Sequence, residues 1–347
     1  MRDRANRLLM QFHITGRCNL SCRHCYRTEG NVEPLTFEDI IDITEQYKAL
    51  RLRYNKLHNI GARGHVNITG GEPFIRDDIG DILNYYGENR QHFSFGILTN
   101  GSFIDDDIIH ILKANSVSFV QLSIDGDEKT HDSLRAPGDY RRTFRTAAYL
   151  EKNGVKTYIS FTANAKNCKY LPYVASECRK RHISKLWSDR LVPIGCGDEL
   201  SDLAIGKDEL NDYICYMKKA RGNKLIRMLF SKTEVAMNRA LQFLNSEGCM
   251  YSCSAGSSLI TVDEFARVMP CRRMPIICGN LKDTTLEKIY FENPVFIDLR
   301  EKRIPSGCES CIYAMWCRGG AKCQSYAVYG DYNKPDPACP YAGRCDV

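Results

Sequence analysis

The chain has 347 residues, enough for a substantial core and about two domains, and its 43% hydrophobic and 26% charged residues are those of an ordinary globular protein. A formal charge of +6 without a long Lys/Arg block gives no nucleic-acid footprint, so no nucleic-acid partner is expected. No apolar run approaches the ~18 residues of a membrane span, and Leu8-Leu9-Met10 is too short for a signal-peptide core, which predicts a cytoplasmic protein without a membrane partner.

Leu8–Thr15 reads as a strand that runs into a loop at Cys18. Thr36 with Asp39 forms a capping box opening a helix to about Leu50, with Ile40, Ile41, Ile43 and Tyr47 near helical spacing. The basic stretch Arg51–Gly64 reads as a solvated loop inserted before the next strand, Val66–Thr69. Phe95–Thr99, Phe119–Ile124, Val155–Thr162 and Lys185–Pro193 read as further extended segments, with helices at Ile104–Lys113, Tyr140–Lys152 and Leu171–Arg181 between them. Such alternation predicts a parallel sheet, either open α/β or a (β/α) barrel, with binding groups at the C-terminal strand ends. Beyond about residue 205 the pattern changes. Two helix-like stretches, Lys207–Arg221 and Thr233–Phe243, lead into a tail rich in turn formers such as Gly248, Gly256, Gly319 and Gly320. The expected units are therefore residues 1–205, a helical linker 206–248 and a cysteine-rich unit 249–347.

The 17 cysteines are the anomaly. Three lie within Cys18–Cys25, four are scattered (Cys168, Cys178, Cys196, Cys215), and ten fall between Cys249 and Cys345. An odd count in a long chain without an export signal argues against a disulfide framework and for thiolates that hold metal. Cys18, Cys22 and Cys25 on one loop can ligate three irons of a cubane and leave the fourth open. Zinc would want a fourth protein ligand that this C-x3-C-x2-C spacing does not supply.

Cys18, Cys22 and Cys25, with His24 in the aromatic slot, resemble the C-x3-C-x-aromatic-C signature of the radical S-adenosylmethionine (SAM) superfamily. That resemblance implies a partial (β/α)6 TIM-like barrel within the α/β class. It also implies that SAM chelates the open iron and is cleaved to a 5′-deoxyadenosyl radical. Later segments match in the same order. Thr69-Gly70-Gly71-Glu72-Pro73 resembles the GGEP motif, whose Glu72 and local carbonyls would meet the SAM ammonium. Ser123-Ile124-Asp125-Gly126 resembles the segment serving the SAM carboxylate or ribose, and His131 and Arg135 fit a following H-D-x-x-R pattern. Arg135 then either pairs with the SAM carboxylate or caps local structure. Thr99-Asn100-Gly101, Asn164, Asn167 and Arg190 are further candidates.

The tail resembles the SPASM extension of this superfamily, a loop-rich iron–sulfur domain. The resemblance implies two auxiliary [4Fe-4S] clusters, three clusters in all. Cys249, Cys253, Cys271 and Cys323 would hold one; Cys308, Cys311, Cys317 and Cys339 the other. Three departures stand out. Cys323 follows Cys317 at a longer gap than usual, Ala266 stands where a glycine usually precedes the Cys271 turn, and Cys278 and Cys345 are surplus. Cys168, Cys178, Cys196 and Cys215 read as ordinary buried thiols.

SPASM relatives mostly oxidise peptides or proteins, which makes the chain a peptide maturase by analogy. The alternatives are oxidation of a small molecule of tetrapyrrole or aminocyclitol type, and an iron–sulfur electron-transfer protein without SAM chemistry. Intact GGEP and SIDG segments speak against the last. Arg272 stands where sulfatase-maturing enzymes carry an Asp thought to act as base, which weakens that sub-reading. The implied partners are a peptide or protein substrate and an electron donor such as a flavodoxin or ferredoxin. With only 17 residues before Cys18, leader recognition would fall to a separate leader-binding protein, to Arg51–Gly64, or to nothing.

Overall fold

The first strand, β1 (Leu9–Thr15), buries Met10, Phe12, Ile14 and Thr15 completely and His13 almost so. Coverage on both faces is what a strand inside a parallel sheet requires. The structure, a computed structural model, describes residues 7–27, 32, 35–222, 232–244, 250–301 and 303–342. After β1 the chain alternates through α1 (Phe37–His58), β2 (Gly64–Gly70), α2 (Ile79–Glu88), β3 (Phe93–Leu98), α3 (Asp106–Ala114) and β4 (Val120–Ser123). It continues through α4 (Glu128–Leu134), α5 (Asp139–Lys152), β5 (Thr157–Ala163), α6 (Leu171–Lys180), β6 (Lys185–Arg190) and α7 (Lys207–Arg221). Neighbouring strands from β1 to β6 pair in parallel. This is the parallel α/β sheet expected from the alternation.

The regions after β6 feed both edges of that sheet. β7 (Glu234–Ala236) pairs in parallel with β6, and β8 (Leu259–Val262) pairs in parallel with β1. β9 (Arg267–Met269) and β10 (Gly279–Asn280) extend the β8 edge in antiparallel fashion. Among the described residues the strand order is β10-β9-β8-β1-β2-β3-β4-β5-β6-β7.

Two expectations are corrected. The Arg51–Gly64 stretch is not an inserted loop: α1 continues to His58, because Tyr47, Leu50, Arg51 and Tyr54 keep one face buried at helical spacing. That face receives the tail helix Leu286–Glu292, through the Arg53–Glu287 ion pair, Tyr54 edge-on to Tyr290, and Gln46 Oε1 accepting from the Leu286 N–H at 2.9 Å. The Thr233–Phe243 stretch is not a helix but the short strand β7 followed by a 3-10 turn at Gln242–Leu244. Pairing along β6 overrides its ambiguous apolar spacing. The Thr36–Asp39 capping box opens α1, each side chain bonding the other's backbone N–H at 2.9–3.1 Å, an arrangement that stabilises by about 1 kcal/mol.

Candidate active site

The cysteine loop leaves the C-terminal end of β1 and rests on the loop after β2. Gly70 has φ +140°, and a Cβ there would stand 2.3 Å from the Thr15 carbonyl oxygen; one on Gly71 would stand 2.0 Å from that of Arg17. The glycines thus serve backbone-on-backbone contact, fixed by Gly71 N–H to Thr15 O at 2.9 Å and Glu72 N–H to Arg17 O at 2.8 Å. Cys18, Cys22 and Cys25 are each half-buried and line one cavity of about 620 Å³ together with Gly70, Gly71 and Ser123. Burial pushes the Cys22 thiol up to about 11 against the opposing pull of Arg135, and raises Cys18 as well. Ligation at this loop would therefore release protons.

Glu72 does not line that cavity. Its fully buried carboxylate accepts from the Thr99 hydroxyl (2.6 Å), the Asn100 N–H (2.7 Å) and the Phe74 N–H (3.2 Å), so it joins the loops after β2 and β3. Asp125 is likewise buried, behind the cavity wall. Burial opposes its charge, but the Arg135 guanidinium at 2.7 Å and the Thr162 N–H at 2.9 Å hold its carboxyl down to about 2. Arg135 does line the cavity and reaches the Cys22 Sγ at 3.8 Å and the His24 Nε2 at 3.2 Å. Burial pushes His24 down to about 4, so it is neutral at pH 7, and its Nδ1 has no hydrogen-bond partner among the described residues. The His131 Nδ1 accepts from the Asp125 backbone N–H at 3.1 Å, and its Nε2 is held by the Asp139 carboxylate at 2.9 Å. Asn164 and Asn167 are absorbed in a local network, Asn167 Nδ2 donating to the Asp125 and Thr162 carbonyls.

The tail thiols fall into two groups. Burial raises the Cys253 and Cys323 thiols, and Cys271 stands close enough to both to oppose their ionisation further, as Cys253 does that of Cys323. Cys323 belongs to this group despite its longer gap. Cys317 lies beside Cys308 and Cys339, with burial pushing it up to about 12, and Cys339 lies beside Cys311. Cys278 is raised to about 12 by burial alone and stands apart from both groups. Cys249, Cys345 and Gly248 lie outside the described residues. Cys168 and Cys178 are buried as expected, but Cys196 and Cys215 are exposed, and Cys196 lines the mouth of the cavity. The turn carrying Cys196 covers the cysteine loop, its Gly197 N–H reaching Cys25 O at 3.3 Å. Ala266 takes φ +62°, in the left-handed region that favours glycine, at a cost of about 1–2 kcal/mol.

Sequence reasoning named Arg190 but passed over the ion pairs that join the cavity wall to the tail. Arg273 pairs with Asp189 of β6 at 2.7 Å. Arg190 forms a bidentate pair with Asp336 at 2.9 and 2.5 Å, almost wholly buried. Glu264, in the β8–β9 turn, accepts from Arg27 at 2.7 Å and lies 3.6 Å from His13; against the cost of burial these partners hold it down to about 2. A second cavity of about 430 Å³ lies behind the first, lined by inward side chains such as Gln11, Asn67 and Tyr158, and shares Gln121, Trp187, Arg272 and Arg273 with it.

Among the described residues no three His, Cys, Asp or Glu side chains converge to hold a single metal ion. Tetrahedral zinc, with Zn–S of about 2.3 Å, needs such convergence, whereas a cubane takes each thiolate on a separate iron. Three thiols on one loop, facing a cavity with an arginine-rich wall and a His24 nitrogen without a hydrogen-bond partner among the described residues, fit a cluster with one open iron and a polar ligand beside it.

Residues 12–164 match the model of the radical SAM superfamily, and residues 253–312 match SPASM, an iron–sulfur cluster-binding domain. An AdoMet-dependent heme synthase of Nitratidesulfovibrio vulgaris is 25% identical, covering 97% of this chain and 93% of its own length. The mycofactocin maturase MftC of Mycolicibacterium smegmatis is 26% identical, covering 96% of this chain and 82% of its own. The crystal structure of Streptococcus suis SuiB bound to precursor peptide SuiA shares the fold with a TM-score of 0.70 at 18% identity, over 98% of this chain and 76% of SuiB.

Proposed function

Starting from a chain that carries a radical SAM domain followed by a SPASM domain and is an enzyme of the radical SAM superfamily, we propose that it oxidatively modifies a ribosomally made peptide or protein. The bond made is a crosslink or an oxidised side chain. Cys18, Cys22 and Cys25 hold the catalytic cluster. Cys249, Cys253, Cys271 and Cys323 hold one auxiliary cluster, and Cys308, Cys311, Cys317 and Cys339 the other. When bound, the catalytic cluster and SAM supply a 5′-deoxyadenosyl radical that removes a hydrogen atom from the substrate. Gly70, Gly71, Ser123 and Arg135 face the cofactor, while Glu72 and Asp125 hold the loops that present them. An electron donor such as a flavodoxin or ferredoxin reduces the cluster, and the protein works in the cytoplasm.

One observation carries the reading. A single cavity of about 620 Å³ runs from the cysteine loop to Arg272 and Arg273 beside Cys271. That volume suits about one drug-sized ligand, so a seated cofactor leaves room for a projecting side chain and keeps the rest of the substrate outside. Similarity to MftC, a maturase, and to the fold of SuiB supports a peptide as the owner of that side chain. Similarity to heme synthases favours a second reading, oxidation of a tetrapyrrole arm. Anaerobic turnover with SAM and reductant tests both, offering a short peptide encoded beside the gene and an iron porphyrin bearing propionate arms. A mass change on the peptide alone supports maturation; one on the porphyrin alone transfers the reading. The double variant Cys308→Ala/Cys311→Ala then probes the tail: product falls further than deoxyadenosine if that cluster takes an electron from the substrate. Both fall together if the cluster only stabilises a loop-rich fold.

A further inference from the structure

Two adjacent arginines in the tail have divided duties. The Arg273 guanidinium is bound to Asp189 at 2.7 Å and stands beside the thiols of Cys271 and Cys323, so its charge is already matched. Arg272 turns the other way. Its guanidinium carbon lies 5.1 Å from the centre of the Tyr26 ring, on the cysteine loop, and its charge is felt by Tyr26 and His13. It lines both cavities.

The other half-buried or buried arginines of the main cavity are each spoken for: Arg27 by Glu264, Arg135 by Asp125, Arg190 by Asp336 and Arg273 by Asp189. Arg272 alone among them has no carboxylate partner among the described residues. Asp189, on the same wall, is shared between Arg273 at 2.7 Å and Arg239 at 3.9 Å. A guanidinium held over an aromatic face keeps its planar fork free along one edge, and that fork matches a carboxylate in two parallel bonds.

We propose that Arg272 is the substrate anchor of the cavity, binding a carboxylate on the arm that enters between the cysteine loop and Cys271. This rests on the functional reading above and narrows its substrate to one whose reacting arm carries, or lies next to, an acid. A free peptide C-terminus, an acidic side chain and a propionate arm share this chemistry. Stacked on Tyr26, the anchor fixes the arm's depth and orients it towards the cysteine loop.

The test uses the fully reconstituted chain with SAM present and measures binding by calorimetry. Three acid–amide pairs separate the sources: an N-acetylated short peptide with a free C-terminus against its C-terminal amide, a doubly capped peptide with a central glutamate against glutamine, and 3-phenylpropionate against 3-phenylpropionamide. In the parent, at least one acid should bind about tenfold or more tighter than its amide, the scale of one charge-assisted pair. Arg272→Gln should erase that preference with iron content and SAM affinity retained, and Arg272→Lys should keep part of it. Equal binding of every acid and amide by the parent overturns the proposal without any variant. So does an acid preference that survives Arg272→Gln, or a SAM affinity that falls by the same factor, which would place Arg272 in the cofactor site. Should the Gln variant lose iron, Arg272→Lys decides: undiminished acid binding by it overturns the bidentate anchor. Deoxyadenosine release from the parent preparation is scored separately, so absent SAM cleavage sinks the functional reading and leaves the acid–amide comparison to stand or fall alone.

Discussion

The loop after β1 and the tail both gather thiols, but they treat them differently. Cys18, Cys22 and Cys25 are half-buried, open onto a cavity, and have a guanidinium 3.8 Å from one sulfur. In the tail, Cys271, Cys308, Cys317 and Cys323 are buried, and the described thiols of each group lie against one another. The loop's three thiols line the main cavity; none of the described tail thiols does. Open coordination goes with chemistry at the metal, closed coordination with electron transfer or support.

The strongest test of that contrast removes the open side's donors. Replacing Cys18, Cys22 and Cys25 together by Ala should abolish SAM cleavage and remove about four of about twelve irons; iron analysis and deoxyadenosine assay report both. Loss of iron from the tail as well would show that the two regions do not load independently. Asp336→Ala attacks the joint between them. It strands the buried Arg190 guanidinium and frees the Ala321 and Ala338 N–H groups that Asp336 accepts at 3.1 Å. A loss of about 3–5 kcal/mol in denaturant unfolding is expected, the cost of one buried charge left alone; a loss under about 1 kcal/mol would mean that the tail stands without the pair. Glu264→Gln is milder and depends on pH. The Glu264 carboxyl is held at about 2 in the folded chain against an ordinary value near 4.5. Its stabilisation is therefore complete above about pH 4.5 and disappears as pH falls through about 2. The variant should lose up to about 3 kcal/mol of the parental pH dependence across that window, read from unfolding midpoints at successive pH values.

Much of the barrel was legible because its signals are local. Short apolar runs, the Thr36 cap, and the cysteine, GGEP and SIDG segments each lie within a few residues and follow strands in order. The helix Ile79–Glu88 was passed over, since Gly80 and Gly87 depress its intrinsic propensity; burial of Ile82, Leu83 and Tyr86 compensates. The site's outer frame was illegible for a different reason. His13 meets Glu264 across 251 positions and Arg190 meets Asp336 across 146, and a charged side chain carries no mark of a distant partner. Nor does the GGEP segment by itself show that Gly70 and Gly71 each make space for the backbone of the cysteine loop.

The parallel pairing of β1 with β8 has a consequence in time. Leu9 and its partner Leu259 are 250 positions apart, and a ribosome adding roughly 5–20 residues per second takes roughly 12–50 s to cover that distance. Throughout that interval one edge of β1, with the cysteine loop at its end, has no strand to pair with. The nascent chain thus presents an unprotected apolar edge for longer than small domains take to fold. Heterologous production should accordingly gain more from chaperone holding than from any change to the mature surface.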